Sequence, residues 1–433
     1  MIILYIAFYI ASYFLARSGQ YVLSGLLLII AALGLYIRDY RRTGNIINLR
    51  GLFSLSFVGG EGISCFKFSK LQVDWDIKTW IAFFIGFLSF YLIYEFMLRK
   101  CSKAPKKSTR TINKDRFFVA IMVLTAASLL SFIIEASVLK YIPLFVYGVP
   151  HAYSEFHLFG LHYITTSCIL VPAFCVVWFR RCRDTSGKDT KEKTKTVFIV
   201  IAAVIGLMIP ILCVSRFQLM FALALAVFTY ITLEEKTSWK WIAIAAAIAI
   251  PGYIILTISR SHDAEYLMSI FEMKSDLPLL ISHPYIYVAN NYDNFNALVT
   301  LLPKHSYGLR ILNPVITLTG LKYMRPELVL WPLYITKPEL ATLTIFYDFY
   351  YDFGLIGMLL GGCAMGLLAF AVERVARAGK DSMAAVIYSQ FAVYFGLAFF
   401  TTWFSNPATW VYLAISVIIY FISTEDANVS SRI

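Results

Sequence analysis

Apolar runs of about twenty residues recur along almost the whole chain, and each is long enough to cross a hydrocarbon core of ~30 Å as a helix. No other feature constrains the fold as strongly. Inside a bilayer the backbone must satisfy its own hydrogen bonds, so the chain is read as all-α and polytopic. About twelve spans are expected, near residues 2–16, 20–37, 51–67, 79–98, 117–137, 160–179, 196–213, 217–233, 240–257, 353–373, 383–402 and 408–423. Together they form a single transmembrane domain over residues 1–433. The third span is the weakest, because Gly59, Gly60, Glu61 and Gly62 interrupt it, and a broken or re-entrant segment is expected there. The first run starts at Met1 with no charged n-region and no A-x-A-like site, so it reads as a retained helix rather than a signal peptide.

Composition supports this reading. Hydrophobic residues make up 59% of the chain and charged ones 15%, with a mean hydropathy of +0.70. The formal net charge of +12 does not indicate nucleic-acid binding, because the lysines and arginines gather in short loops at 38–42, 99–116, 180–195 and 374–380. That is the positive-inside pattern, which places these loops and both termini in the cytoplasm. The seven cysteines show neither CxxC pairing nor zinc spacing, so no disulfide framework or metal site is implied, and no cofactor is expected.

Two regions break the apolar pattern and are expected outside: a loop at 138–160 and a large one at 258–352. All six histidines (151, 157, 162, 262, 283 and 305) fall in or beside them. Histidine avoids lipid, which accounts for this placement; the sharper reading is that the two loops fold together over an external active site. A loop this long is uncommon unless it has a task. It carries helix-like stretches at 264–273 and 291–302, and short helices packed on the outer ends of the bundle are expected.

Several residues in or beside the large loop can carry chemistry. Arg216, in CVSRFQLMF, joins two apolar runs at the outer face, and Ser215 with Gln218 has capping-box spacing at a helix start. A helix N-terminus with an adjacent guanidinium suits an anion; otherwise Arg216 is a snorkelling arginine. Arg260, in TISRSHDAEY, repeats the theme where the ninth span meets the loop, and two such arginines can converge on one diphosphate. In YDFYYDFGLIG, Asp348 and Asp352 are four apart and share a helix face, where mutual repulsion favours a candidate general base. Asp352 with Gly354 also suits a simple cap of the tenth span, and Tyr347, Tyr350 and Tyr351 offer flat faces for sugars or an interfacial aromatic belt. His305 and Arg310, in PKHSYGLR, supply a second candidate base and a phosphate contact. Gly357, Gly361, Gly362 and Gly366 have small-xxx-small spacing and read as helix packing.

With these residues in view, the chain resembles the Wzy-type oligosaccharide repeat-unit polymerases of bacteria, the O-antigen or polysaccharide polymerases. The resemblance rests on the many-spanning layout, the KYIPLF segment, the Ser-Arg at a short external turn, and LATLTIFYDFYYDFGLIG closing the large loop. NLRGLFSLSFVGGEG and KLQVDWDIKTW resemble the family's N-terminal pattern. Some members carry Arg followed eleven positions later by Gly; here Val227 follows Arg216 and Phe271 follows Arg260, so that motif is absent. The resemblance implies a GT-C-like, metal-independent inverting glycosyltransferase of the bacterial inner membrane. Its substrate is an undecaprenyl-diphosphate-linked oligosaccharide met at the outer face, and a chain-length regulator and a flippase of the same pathway are implied partners besides membrane lipid. Arg216, Arg260 and Arg310 then bind diphosphate, Asp348 or His305 serves as base, and Tyr347, Tyr350 and Tyr351 hold sugars. An O-antigen ligase-type transferase uses the same leaving group, and a lipid-linked oligosaccharide flippase is the alternative from another class. A transporter is expected to show internal repeats and midplane charges, and no clear repeat is present.

Overall fold

Among the described residues, seven helices are long and apolar enough to cross a membrane, and three shorter apolar helices accompany them. The computed structural model describes residues 1–101, 110–146, 152–182, 190–234, 264–378 and 383–426, with scattered positions between 240 and 251. The chain begins with α1 (Ile2–Arg17) and α2 (Tyr21–Thr43), followed by a continuous helical stretch made of α3 (Leu49–Phe53), a π-helical turn (Ser54–Val58) and α4 (Gly59–Ser64). Next come α5 (Ile77–Lys100), α6 (Lys114–Leu139), α7 (Leu161–Thr166), α8 (Val171–Val177), α9 (Thr190–Leu212) and α10 (Arg216–Leu233). The remainder carries α11 (Ala264–Phe271), α12 (Leu279–Leu301), α13 (Tyr347–Ala378), α14 (Ala384–Gly396) and α15 (Pro407–Ser423).

The seven long helices cover the expected spans 20–37, 79–98, 117–137, 160–179, 196–213, 217–233 and 353–373. Three of the other five are the shorter helices α1, α14 and α15. The expected span 240–257 falls largely outside the described residues. At the expected span 51–67 residues 49–64 are helical without a gap, widened to a π-turn at Ser54–Val58, and Gly59–Gly62 lie inside the helix that follows it. Helix ends carry the expected chemistry: Asp76 accepts from the Lys78 N–H at 2.8 Å, and Gly44 closes α2 in the left-handed conformation. The stretch 111–116, which suits the helix after it, is divided. Residues 110–112 pair antiparallel with 424–426, and Asn113 caps α6.

The chain forms two compact units. The first comprises residues 1–104, 263–373 and 394–409. Small residues let its helices meet: a Cβ at Gly25 would lie 2.3 Å from the Gly62 carbonyl oxygen, and one at Gly362 2.4 Å from that of Gly86. The glycines of α13 are therefore packing residues, as their spacing predicts. Arg50 is buried beside Asp39 and Glu95 (2.6 Å to Glu95), with Tyr91 and Tyr94 flanking its guanidinium. The large polar region does not remain on the periphery of this unit. Its helix α12 packs against α4 and α5, and Asn290, Asn291, Asp293 and Asn294 are all buried. Polar side chains are tolerated there because they bond one another and the passing backbone. Asn294 donates to the Leu340 carbonyl at 2.7 Å, and Asp293 accepts from Lys67 at 2.9 Å and from Gln72 and Trp75 at 2.7 Å each.

The second unit comprises residues 105–262, 374–393 and 410–433. In it α10 packs on α8, α9 on α6 and α8, and α6 on α7. Its polar interior centres on Glu135, near the end of α6 and fully buried.

Candidate functional site

In the first unit the turn that follows α12, at residues 305–311, folds onto the first turns of α13. Tyr307 and Gly308 both have positive φ (50° and 99°), which makes the turn tight enough to bring residues 305–311 over Asp348 and Asp352. Asp352 accepts from the Ser306 hydroxyl, from the Arg310 N–H at 3.2 Å and from the Ile311 N–H at 2.9 Å. It is therefore a clamp on the preceding turn, where the sequence alone favours a cap of the helix that follows. Asp348, four residues earlier on the same face, pairs with the Arg310 Nε instead. The two carboxylates thus take separate donors.

Burial works against the charge of Arg310, but Asp348 beside it holds the guanidinium above its ordinary value. The guanidinium lies over the rings of Tyr351 at 4.8 Å and Tyr347 at 5.6 Å. Only its Nε is engaged; its terminal nitrogens make no hydrogen bond among the described residues. His305 is half-buried, and its Nδ1 lies 3.1 Å from the Tyr351 carbonyl oxygen. A carbonyl only accepts, so Nδ1 carries the proton and Nε2 the lone pair. Gly354 adjoins this ring: its φ of 59° and ψ of −138° kink α13, and a Cβ there would come within 3.2 Å of the imidazole.

The structure therefore brings His305, Arg310, Asp348, Tyr347, Tyr350 and Tyr351 into one cluster. The three tyrosines are buried, at 0%, 7% and 1% exposure for 347, 350 and 351. Their rings form the walls beside Arg310 and His305, and the Tyr347 hydroxyl is tied to the backbone of Tyr334 at 2.8 and 2.9 Å.

Arg216 lies in the second unit as the first residue of α10 and is 8% exposed. Ser215 stands at the N-cap, but its side chain makes no capping bond, so the capping box read from the spacing does not form. The turn before it is strained: Val214, a β-branched residue, has a φ of 52°. Apolar packing fixes it there, since Val214 and Leu219 are buried against Leu144 of the KYIPLF segment. Two segments far apart in sequence, KYIPLF and VSRF, thus meet. Arg260 lies outside the described residues, as do His151 and His262.

Five buried carboxylates were not among the candidates: Glu61, Glu135, Asp293, Asp39 and Glu373. The signal for the first two is a lone acid inside an apolar run, GGEGIS and SFIIEASVL. Asp293 sits in the polar run NNYDNFN, which hydropathy alone reads as loop. Among the described residues no group of three His, Cys, Asp or Glu side chains is arranged to hold a metal ion. No protein-family model, curated protein sequence or solved structure matches this chain.

Proposed function

We propose that the chain polymerises undecaprenyl-diphosphate-linked oligosaccharide repeat units into a bacterial surface polysaccharide. In this reading the twelve-span, GT-C-like layout sits in the inner membrane, and the growing chain is transferred onto the next lipid-linked unit at the outer face. The observation that carries the proposal is Arg310, half-buried against tyrosine rings and steered by Asp348, with its terminal nitrogens making no hydrogen bond among the described residues. A planar guanidinium held in this way suits diphosphate oxygens, and stabilising charge on a leaving group is usually the largest catalytic term. Asp348, committed to Arg310, orients the cation, and the half-buried His305 suits contact with a sugar hydroxyl. Arg216 and Arg260 are kept as diphosphate candidates on their sequence setting alone.

The test is mass spectrometry of lipid-linked glycans and surface polysaccharide in a strain lacking the gene. Single repeat units at the surface with no longer chains support polymerisation. Long chains retained on the carrier indicate a ligase, and units trapped on the cytoplasmic face a flippase. In the complemented strain, Arg216→Ala and Arg260→Ala are each expected to abolish chain extension while the protein still inserts. Wild-type chain lengths from either variant remove that arginine from the reaction.

A further inference from the structure

The segment from Arg310 to Tyr334 belongs to the large polar region, yet it turns apolar side chains outward. A short helix, Asn313–Leu318, seats one face on the first unit. Pro314, Ile316 and Thr317 are buried there, and the Asn313 amide donates to the Ser405 carbonyl at 3.0 Å. The opposite face carries Leu312, Val315 and Leu318, and Leu321 extends the row at the same three-residue spacing; all four are exposed. The helix packs on a turn at Leu321–Met324, which packs in turn on one at Pro326–Leu328. Met324 and Leu330 continue the apolar surface at 79% and 74% exposure. A helix that is apolar all round is ordinarily buried all round, and this one is covered on one face only. A run of exposed apolar side chains this long marks an interaction surface.

Two observations identify what covers that surface. The first is continuity with the spanning helix α13. Leu312 donates its N–H to the Gly308 carbonyl at 2.9 Å, and a Cβ at Gly308 would lie 3.5 Å from the Phe353 ring. The row therefore starts one turn from Phe353, the first of the exposed apolar side chains of α13, which Ile356 and Leu360 continue. α13 is long and apolar enough to cross a membrane, and in a bilayer those side chains meet lipid. The second observation is charge. Residues 301–334 carry four basic side chains, Lys304, Arg310, Lys322 and Arg325, against one acid, Glu327. Such an excess suits anionic headgroups, and Tyr323 and Trp331 are of the aromatic types that favour headgroup level. We infer that residues 312–333 form an interfacial anchor, lying in the leaflet at the N-terminal end of α13. Its apolar row sinks about 5–10 Å into the boundary between headgroups and acyl chains, while Lys322 and Arg325 reach the lipid phosphates. The exposed 3.4 Å pair of Arg325 with Glu327 is weak enough to yield to a phosphate. The anchor rests on this surface and its charge, and does not depend on the glycosyl transfer proposed above. Where that reading holds, the anchor gives Arg310, two residues before Leu312, the depth at which a lipid-borne diphosphate presents its oxygens.

The experiment places single nitroxide labels on the full-length protein in nanodiscs of phosphatidylglycerol. Cys101→Ser and Cys363→Ala first remove the two thiols that are not buried. Labels then go on Val315→Cys, Met324→Cys and Leu330→Cys, with Ile356→Cys as the reference on the spanning helix. Oxygen concentrates in lipid and a nickel chelate in water, so their collision rates with each label read its surroundings. At all three anchor positions oxygen is expected to exceed nickel several-fold, as at Ile356→Cys. Labels at which nickel dominates place the segment in water and overturn the anchor. Labels shielded from both reagents show that protein covers the surface, a second copy of the chain included, and overturn it equally. Lys322→Glu with Arg325→Glu is expected to lower the oxygen collision rate at the Met324→Cys label in phosphatidylglycerol and to leave it unchanged in phosphatidylcholine. An equal loss in both lipids overturns the contact with phosphates. No glycan substrate enters the measurement, so failure of the proposed polymerisation leaves its result standing.

Discussion

Arg310→Ala and Asp348→Asn, made singly and together, test whether the two residues act as one unit. The pair is shielded, with side chains 14% and 3% exposed. It belongs with buried pairs, where removing one partner costs ~3–5 kcal/mol, and not with surface pairs worth ~0–1 kcal/mol. Asp348→Asn keeps the size of the side chain but leaves a guanidinium facing a neutral amide, so the lower end, ~3 kcal/mol, is expected. Arg310→Ala leaves the nearly buried carboxylate alone and also removes the cation from the Tyr351 face at 4.8 Å, a further ~1 kcal/mol. Because both losses share one interaction, the double variant is expected to cost little more than the worse single one, giving a coupling of ~2–3 kcal/mol. Reversible denaturation in mild detergent, read by tryptophan fluorescence across all four proteins, measures that coupling. Losses that simply add, with coupling below ~0.5 kcal/mol, would show that the two side chains do not depend on one another and refute the pairing.

Gly354→Ala is expected to destabilise the protein by ~1–3 kcal/mol, because φ 59° with ψ −138° is a glycine conformation and the new Cβ meets the His305 ring. An unchanged melting curve would mean that α13 is not kinked there. Asp293→Ala strands the Lys67 ammonium, 6% exposed, together with the Trp75 and Gln72 donors, and is expected to cost ~3–5 kcal/mol. Lys67→Met with Asp293→Leu is expected to recover much of that loss. Equal thermal stability of wild type and Asp293→Ala would contradict the burial of the pair.

The legible part of the fold was the part governed by a one-dimensional signal. Seven of the expected spans coincide with long apolar helices, since a run's length and hydropathy are properties of neighbours in the chain. The interruption expected at Gly59–Gly62 is not found, since those glycines continue a helix whose one departure from α-geometry is the π-turn upstream, at 54–58. Helix α12 was legible only in its second half. Its apolar moments are weak and its buried face is made of asparagines and Asp293, which hydropathy assigns to water. They are stable inside because Leu340, Thr336, Lys67 and Trp75 arrive from elsewhere to meet them.

The candidate site shows the same division. Asp348, His305, Arg310 and the three tyrosines stand out as polar or aromatic residues between apolar runs, and the fold gathers them. Which residue engages which was not readable. That Asp348 belongs to Arg310, and Asp352 to the backbone of the preceding turn, depends on a loop of about forty residues closing through the left-handed pair Tyr307 and Gly308. Likewise the three-residue spacing of Ser215 and Gln218 suited a capping box, but the Ser215 side chain makes no capping bond beside the strained turn at Val214.

Taken alone, the amino-acid sequence determined that this is a multi-pass helical protein and where its polar residues concentrate, because the energetic cost of placing each residue in lipid is local and adds along a run. Only the tertiary structure decided that Glu135 holds His162, that Asp293 holds Lys67, and that KYIPLF packs on the turn before Arg216. A buried charge is stable only beside its partner, and partners separated by 27 to more than 200 positions meet solely through the packing of whole helices.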